Sequence, residues 1–550
     1  MKKNIFLLFL LVAQIGFSQN KLSEIEKLSA TCKIWGFLKY YHPEVASGKF
    51  DWRQQLFDVL PKIEKAESKE EYSLVIENWI NSLGKVKKST PKKIHDTIVF
   101  FDKNFDLSWM TENKLFSKNL STKLKFIESN RHQGAKHYVY AIRALNISIK
   151  NENFLELKFT DKNARILSLY TYWNIIEYFF PYKYLMDKKW DVTLNEMLPL
   201  FIEAKNEDEF YLAMQKLTVR LNDSHVVFFK YNGGRNHYLP LECKIIDEKM
   251  IVTQILDSYL SDYDSIKIGD VITKVNDKSI KDIIEENREL IPASNNALYL
   301  NRLIEPTLSG SSETVKLEFL SNGKVFTKSI NWSDYNLSNY ALHEIITEKS
   351  KKDKFKILEN NIGYVDMGEI KEKHIPDMIN ALEKTKAIVF DMRNYPNGTY
   401  DLISNFLNAN EKPFAIYTNP FLDYPGRYFW TTPQLTGSKN KNNYKGKVIM
   451  LLNEKSASQS EWTAMCFQTA GNTTIIGSQT AGADGNVSDL EYMKGLYTRF
   501  SGIGVYYPDK SETQRIGIIP DIEIKPTIKG IQEGKDEVLD RALLFIETGK

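Results

Sequence analysis

Three serines crowd one short stretch of this chain: Ser456, Ser458 and Ser460, in the run NEKSASQSEWTAMCFQTAG. A β-rich apolar run, KVIMLLN, precedes them and a helical pattern follows. A serine at a strand-to-helix turn can present its hydroxyl outward. The first N–H groups of the helix beside it have no partner within the helix. Those donors, with the positive end of the helix dipole, suit an oxygen that gains negative charge during acyl transfer. The same residues also fit plain helix capping, because Glu461 follows Ser458 by three and completes a capping box.

Three further runs carry polar chemistry. In RLNDSHVVFF, Asp223, Ser224 and His225 lie between a helix end and an apolar strand. Histidine titrates near neutrality and can act as a general base, although a loop histidine is often only polar surface. DMRNYPNGT, residues 391–399, follows the apolar run KAIVF. It therefore falls at the C-terminal end of a strand, where open α/β sheets place their sites. Gly398 there could bring a backbone N–H close to a carbonyl, or could simply serve an Asn-Gly turn. TQRIGIIPDIEI, residues 513–524, reads as a strand whose start carries Glu512, Gln514 and Arg515; Pro520 would end its pairing if it were only a surface edge.

The elements that must position these residues begin with a repeat. Trp35, Pro43, Trp52, Leu60-Pro61 and Tyr72 recur 138 residues later as Trp173, Pro181, Trp190, Leu198-Pro199 and Phe210. Each copy, residues 24–85 and 162–223, reads as a small helical unit. The copies diverge at their ends: the second finishes in the DSH run, while Lys85, Val86 and Lys87 hold the matching places in the first. The first copy thus reads as a scaffold. Between them, residues 90–160 contain strand-like pieces (TIVFF, HYVYAI, FLELKF) and are expected to form a mixed linker domain. Residues 238–332 alternate short β runs with turns, and Ile268-Gly269-Asp270-Val271 followed by VNDKSI has the look of a PDZ domain. From about residue 355, strands alternate with helices, which implies an α/β layer with largely parallel pairing. An amphipathic helix, GKDEVLDRALLFIE, closes the chain.

Composition narrows the class. The 550 residues allow three or four domains of about 150 residues each. Hydrophobic residues at 42% and charged residues at 26% match a globular protein. The net charge of +3 includes Lys2 and Lys3 of the N-terminal run, and gives no overall case for nucleic-acid or membrane-surface binding. Cys32, Cys243 and Cys466 form no CxxC pair and no metal-ligand spacing. MKKNIFLLFLLVAQIGFSQN reads as a secretory signal: two lysines, a short apolar run, then Gly16 and Ser18 before a cleavage point at Gln19. The chain is therefore expected to be exported, to the periplasm or beyond, with no membrane span after the signal is removed. The expected boundaries are 1–18 for the signal, 19–89 for the first copy, 90–160 for the linker domain, 161–235 for the second copy, 236–335 for the PDZ-like domain and 336–550 for the α/β core.

Taken together the four runs resemble the tail-specific, or C-terminal processing, serine peptidases, including their tricorn-like branch. SASQSE resembles the family's SASASE nucleophile motif, DMRNYPNG its strand and RGNPGG turn, GSQTAGADG its GxxTxGKG turn, and GIIPDI its GIxPDI strand. The likeness spans roughly residues 160 to 540. It implies a multidomain protein with a ClpP/crotonase-like α/β core, a PDZ-like β-rich domain and a helical N-terminal region containing the duplicated unit. It implies Ser458 as nucleophile and a peptide or protein as substrate, with no metal or organic cofactor. Where the Ser/Lys branch carries its lysine, this chain has Ala483 and Asp484, so the resemblance points to the serine-histidine pair of the tricorn-like branch, here Ser224-His225. That branch adds a glutamate shortly before the GIxPD strand; Gln514 stands there, and Glu512 two residues earlier. The resemblance thus assigns His225 as base, Ser224 as an orienting group together with either Glu512 or the neutral amide of Gln514, and the N–H groups of Gln459 and Gly398 as the oxyanion hole. An unstructured or C-terminal polypeptide segment is the expected substrate, the PDZ-like domain would hold its end, and an oligomer is open. Two other readings stay open at this point: a catalytically inactive peptide- or ligand-binding module on the same fold, and an acyl hydrolase acting on a non-peptide substrate.

Overall fold

The computed structural model describes residues 22–143, 145–152, 158–230, 237–256, 265–321, 323–331, 353–491 and 496–550. The expected signal segment, and most of the FLELKF run, lie outside them. Among the described residues no helix is long and apolar enough to cross a membrane.

The N-terminal region is built from helices α1 (Glu24–Tyr41), α2 (Trp52–Lys65), α3 (Lys69–Ser82), α4 (Lys162–Phe179), α5 (Trp190–Glu203) and α6 (Glu207–Val219). The starts of α4, α5 and α6 follow those of α1, α2 and α3 by the offset of the sequence repeat. A capping box at Ser23 and Glu26 starts α1, and Asp161 caps α4. Both α1 and α4 are buried on nearly every face, and α1 takes two paired lysines inside with it: Lys27 on the Glu64 and Ala66 carbonyls, and Lys39 on Glu152. Within each copy the two tryptophans lock reciprocally. The Trp35 indole N–H donates to the Trp52 carbonyl and the Trp52 indole to the Trp35 carbonyl, both at 3.2 Å. Trp173 and Trp190 do the same at 3.0 Å. The copies cross at Gly36 and Asn174, which are equivalent positions. A Cβ on Gly36 would lie 1.7 Å from the Asn174 Oδ1. The Asn174 amide donates to the Cys32 carbonyl of α1 and the Tyr170 carbonyl of its own helix.

Residues between the copies are a strap across the molecule. Phe100–Phe101 pairs antiparallel with Phe429 and Tyr428 of the C-terminal region. Met110, Leu120, Leu124 and Ile127 join the helical core, which also takes in Tyr428, Leu496, Phe500 and Tyr506. The helix Lys118–Ser129 in this stretch was not anticipated from sequence. All three cysteines are free and buried.

After α6 come β1 (Val227–Lys230), β2 (Leu241–Ile246), β3 (Lys249–Ile255), β4 (Val271–Val275), helix α7 (Asn296–Thr307), β5 (Thr314–Ser321) and β6 (Lys324–Asn331). Strands β2 to β6 form an antiparallel sheet in the order β6-β5-β4-β3-β2, which leaves β2 as an edge with α7 alongside. The C-terminal region contributes β7 (Phe355–Leu358), β8 (Ile362–Asp366), β9 (Ala387–Asp391), β10 (Lys447–Leu452), helix α8 (Gln459–Gln468), β11 (Thr473–Gly477), β12 (Leu496–Ser501), β13 (Ile522–Glu523) and the closing helix α9 (Glu537–Thr548). Its main sheet runs β7-β8-β9-β10-β11-β13 and is parallel from β8 onward. Every residue of β9 is buried, the mark of a strand covered on both faces. β12 leaves this sheet and pairs with β1.

One expectation is corrected. Residues 513–524 do not form one strand; only Ile522–Glu523 pairs in the sheet. Arg515 (φ 67°) and Gly517 (φ 68°) adopt left-handed backbone, which an extended run cannot contain.

Candidate active site

The three serines divide their work. Ser456 and Ser460 are fully buried, and their hydroxyls donate to the Met392 carbonyl (2.7 Å) and the Asn394 carbonyl (3.0 Å). They fasten the turn after β10 to the DMR loop after β9. Ser458, between them, is half-buried at the N-terminus of α8, with φ 51° and ψ −109°. Such backbone is uncommon for a side chain with a Cβ and persists only where surroundings enforce it. Here the Ser458 N–H donates to the Ala483 carbonyl (3.0 Å) and to the Glu461 carboxylate (3.2 Å).

Glu461 does more than cap. Its buried carboxylate also accepts the N–H groups of Gly482 (2.8 Å) and Ala483 (3.0 Å) and the Thr480 hydroxyl. Burial raises its carboxyl above the usual range, against those hydrogen bonds. Asp484 follows in the same turn. It is buried, accepts the Gly485 N–H at 2.7 Å, and its Oδ2 has no hydrogen-bond partner among the described residues. Burial first, and the Glu461 charge second, push its carboxyl well above the usual range.

The DSH loop meets this turn from the other side. The Ser224 hydroxyl donates to the Ala481 carbonyl at 2.8 Å, two residues from the carbonyl that holds the Ser458 N–H. Ser224 also receives the Ser294 N–H and donates its own N–H to the Ser294 hydroxyl. Ser224, expected to orient His225, thus anchors the loop. The ring is held by a different serine. His225 Nδ1 lies 2.8 Å from the Ser501 Oγ, and the Ser501 hydroxyl lies 2.9 Å from the Asp223 Oδ1. Asp223 is fully buried and also accepts the N–H groups of Ser501 (2.7 Å) and His225 (3.0 Å) and the Gln514 amide (3.1 Å). A serine hydroxyl has one proton. If it serves the carboxylate, Ser501 must accept from Nδ1–H, which leaves Nε2 as the basic nitrogen. Burial lowers the His225 pKa from 6.5, and Asp223 opposes that.

The loop is also gripped from the β2–β6 domain. Arg302 on α7 donates to the carbonyls of Ser224, Val226 (3.1 Å) and Pro292 (2.6 Å). The other expected residues are placed as follows. Glu512 lies apart from the histidine network: it accepts the Tyr184 hydroxyl at 2.7 Å and faces Lys103 at 3.8 Å. Gln514 is buried against Asp223, with its Oε1 unpartnered among the described residues. Gly398 is exposed with φ 72°, and a Cβ there would meet nothing within 4 Å. Gln459 opens α8, and its Nε2 is buried without a partner among the described residues. Sequence reading missed Ser501, which nothing local distinguishes, and Arg302. Asp223 stood in the DSH run but was given no role.

Beside β2 and α7 lies a cavity of about 270 Å³, closed on its far side by Glu454, Glu523 and Lys525 of the C-terminal region. Lys244 of β2 pairs with Glu454, and Glu242 with Lys455 (3.3 Å). The groove is therefore clasped to the turn that leads into Ser458.

Residues 361–524 match the sequence model of Peptidase family S41, and residues 235–344 match that of a PDZ domain. The chain thus carries a PDZ domain followed by an S41 peptidase domain. A carboxy-terminal-processing protease of Bartonella bacilliformis (strain ATCC 35685 / KC583 / Herrer 020/F12,63) is 26% identical over 209 residues, 36% of this chain and 46% of that protein. The match therefore spans about half the length of this curated relative. Among solved structures, mature CPAF complexed with lactacystin and mature CPAF itself superpose with TM-scores of 0.56. They are 12% and 13% identical and cover 70% of this chain and 99% and 98% of theirs; the likeness is one of fold.

Proposed function

We propose that the protein is an exported serine peptidase in which Ser458 attacks a peptide carbonyl and His225 is the base. Nε2 takes the Ser458 proton as the bond to the carbonyl carbon forms, and returns it to the leaving amine as the acyl-enzyme appears. Water, deprotonated by the same nitrogen, then releases the acyl group. The N–H groups of Gln459 and Gly398 would receive the oxyanion, each worth roughly 3 kcal/mol in the transition state. The observation that supports this reading best is the hydrogen-bond chain His225–Ser501–Asp223, which selects the tautomer a base needs. The DSH loop and the Ser458 turn also hold the same strip, residues 481–483. In this assignment Ser501 and Asp223 are positioning residues, Ser224 anchors the loop, and Glu512 supports the wall at Tyr184 rather than the histidine. The N-terminal run supports export.

The deciding experiment is turnover of unstructured peptides by the wild type, Ser458→Ala and His225→Ala. Activity in the wild type and its loss in both variants, with circular dichroism unchanged, is expected. A folded wild type that binds such peptides and cleaves none would replace the peptidase by a binding module. Cleavage of simple esters but no peptide would make it an acyl hydrolase of another class.

A further inference from the structure

A cavity of about 640 Å³ lies against the second copy of the helical unit, walled chiefly by α4, the start of α5 and residues 102–113 of the strap. Small-molecule sites usually enclose roughly 300–1,000 Å³. Five wall positions repeat those of a smaller cavity, about 310 Å³, in the first copy. Trp173, Glu177, Lys189, Trp190 and Asp191 stand where the first has Trp35, Lys39, Asp51, Trp52 and Arg53. A hollow beside the indole lock therefore belongs to the unit itself. The copies differ in what occupies it. In the first, the Lys39 ammonium lies 4.6 Å from the Trp35 ring centre and 4.7 Å from that of Tyr138, and pairs with Glu152. In the second, Glu177 takes the place of Lys39 and pairs with Lys183 (2.8 Å), and the hollow is about twice as large.

The wall chemistry selects a class of ligand. Lys183 is matched by Glu177 and Lys33 by Asp191 (2.7 Å), with the lysine side chains only 9% and 12% exposed. A charged ligand would have to part such a pair and leave a desolvated charge alone. A neutral ligand leaves the pairs intact and can use their remaining donors and acceptors. Phe105, Trp109 and Tyr184 are half-buried in the wall. The negative faces of such rings attract the slightly positive hydrogens of C–H groups. Asn104, also in the wall, adds a demand for a donor. Its Nδ2 donates to the Phe180 carbonyl at 2.7 Å, which settles the orientation of the amide, and its buried Oδ1 has no partner among the described residues. A hydroxyl or amide N–H would satisfy that oxygen. An uncharged molecule with C–H faces ringed by hydroxyl donors is a saccharide.

We propose that this cavity is a binding site for a neutral oligosaccharide. It stands apart from the peptidase reading, since its wall shares no residue with the Ser458–His225 network or the PDZ groove.

The test is isothermal titration calorimetry on the full chain. The probes are cellotriose, maltotriose and N,N′,N″-triacetylchitotriose, with N-acetyl-tetraglycine amide as an uncharged peptide. At least one trisaccharide is expected to bind with Kd below about 1 mM, and the peptide at least about tenfold more weakly. Trp109→Ala removes a ring, and Lys189→Trp fills the mouth from an exposed position. Each should weaken the trisaccharide at least about tenfold with circular dichroism unchanged. If Trp109→Ala fails to fold, Lys189→Trp decides alone. No trisaccharide binding up to about 10 mM overturns the proposal. So does binding indifferent to the folded variants, and so does equal affinity for the peptide, which would make the cavity a polypeptide site.

Discussion

At the scale of single residues, the site depends on how few protons are available to it. Ser501 stands between a ring nitrogen and a carboxylate, and its one proton decides which imidazole nitrogen is basic. Asp223→Asn and Ser501→Ala should each lower kcat roughly 10²- to 10⁴-fold without unfolding the protein. Asp223 favours the charged ring, so its removal should also move the acid limb of kcat/KM to lower pH, a shift that simple loss of packing would not cause. Burial pulls the His225 pKa down in the wild type, so that limb is expected on the acid side of an ordinary histidine's. Asp484 works in the opposite sense. Its carboxyl is held above 3.8, so the folded state keeps a proton that the unfolded state loses. Stability is full below the unfolded value and falls as pH rises toward the folded one, by up to about 1.4 kcal/mol per pH unit. Asp484→Asn, neutral throughout, should escape that loss. Its melting temperature, compared with the wild type from pH 4 to 9, should gain progressively; a constant difference would mean the carboxyl is ionised in the fold. Ser458 and the DSH run were legible in the sequence because each sits beside its own strand or helix end. Ser501 was not, since only the pairing of β1 with β12 brings it to His225, 276 residues away.

At the scale of elements, the repeat was readable because tryptophans and prolines recur without a gap. The reason they recur is visible only in three dimensions: each indole satisfies the other's backbone. The crossing of α1 and α4 rests on Gly36, where a side chain would collide with Asn174. Gly36→Val should cost roughly 1–3 kcal/mol or more in urea denaturation. The exchange Gly36→Asn with Asn174→Gly should recover much of this. Tyr170 is the repeat equivalent of Cys32, as Asn174 is of Gly36, so an asparagine at 36 is expected to find the same two carbonyls that Asn174 uses now. If the double variant is no better than Gly36→Val, the two copies are not interchangeable at their crossing. The run at 513–524 was misread because its alternation of apolar residues imitates a strand, while Arg515 and Gly517 turn the backbone away from one.

At the scale of the whole molecule, the expected domain boundaries divide what the packing joins. Tyr428, Leu496, Phe500 and Tyr506 belong to the peptidase half of the sequence and to the helical core in space, and the Tyr41 hydroxyl reaches the Pro425 carbonyl at 2.6 Å. Deleting residues 1–160 should therefore give aggregated protein in size-exclusion chromatography rather than a free peptidase core; a soluble monomer would show the helices to be dispensable. The reciprocal indole locks have a spectroscopic consequence. Six of the nine tryptophans lie before residue 191, and Trp35, Trp52, Trp173 and Trp190 are almost wholly shielded from water. Intrinsic emission should be blue-shifted and should report chiefly on the paired helices. A denaturation curve followed by fluorescence would thus describe chiefly the duplicated unit, while Trp462, one turn along α8 with its backbone N–H on the Ser458 carbonyl (2.9 Å), is the native reporter beside that serine.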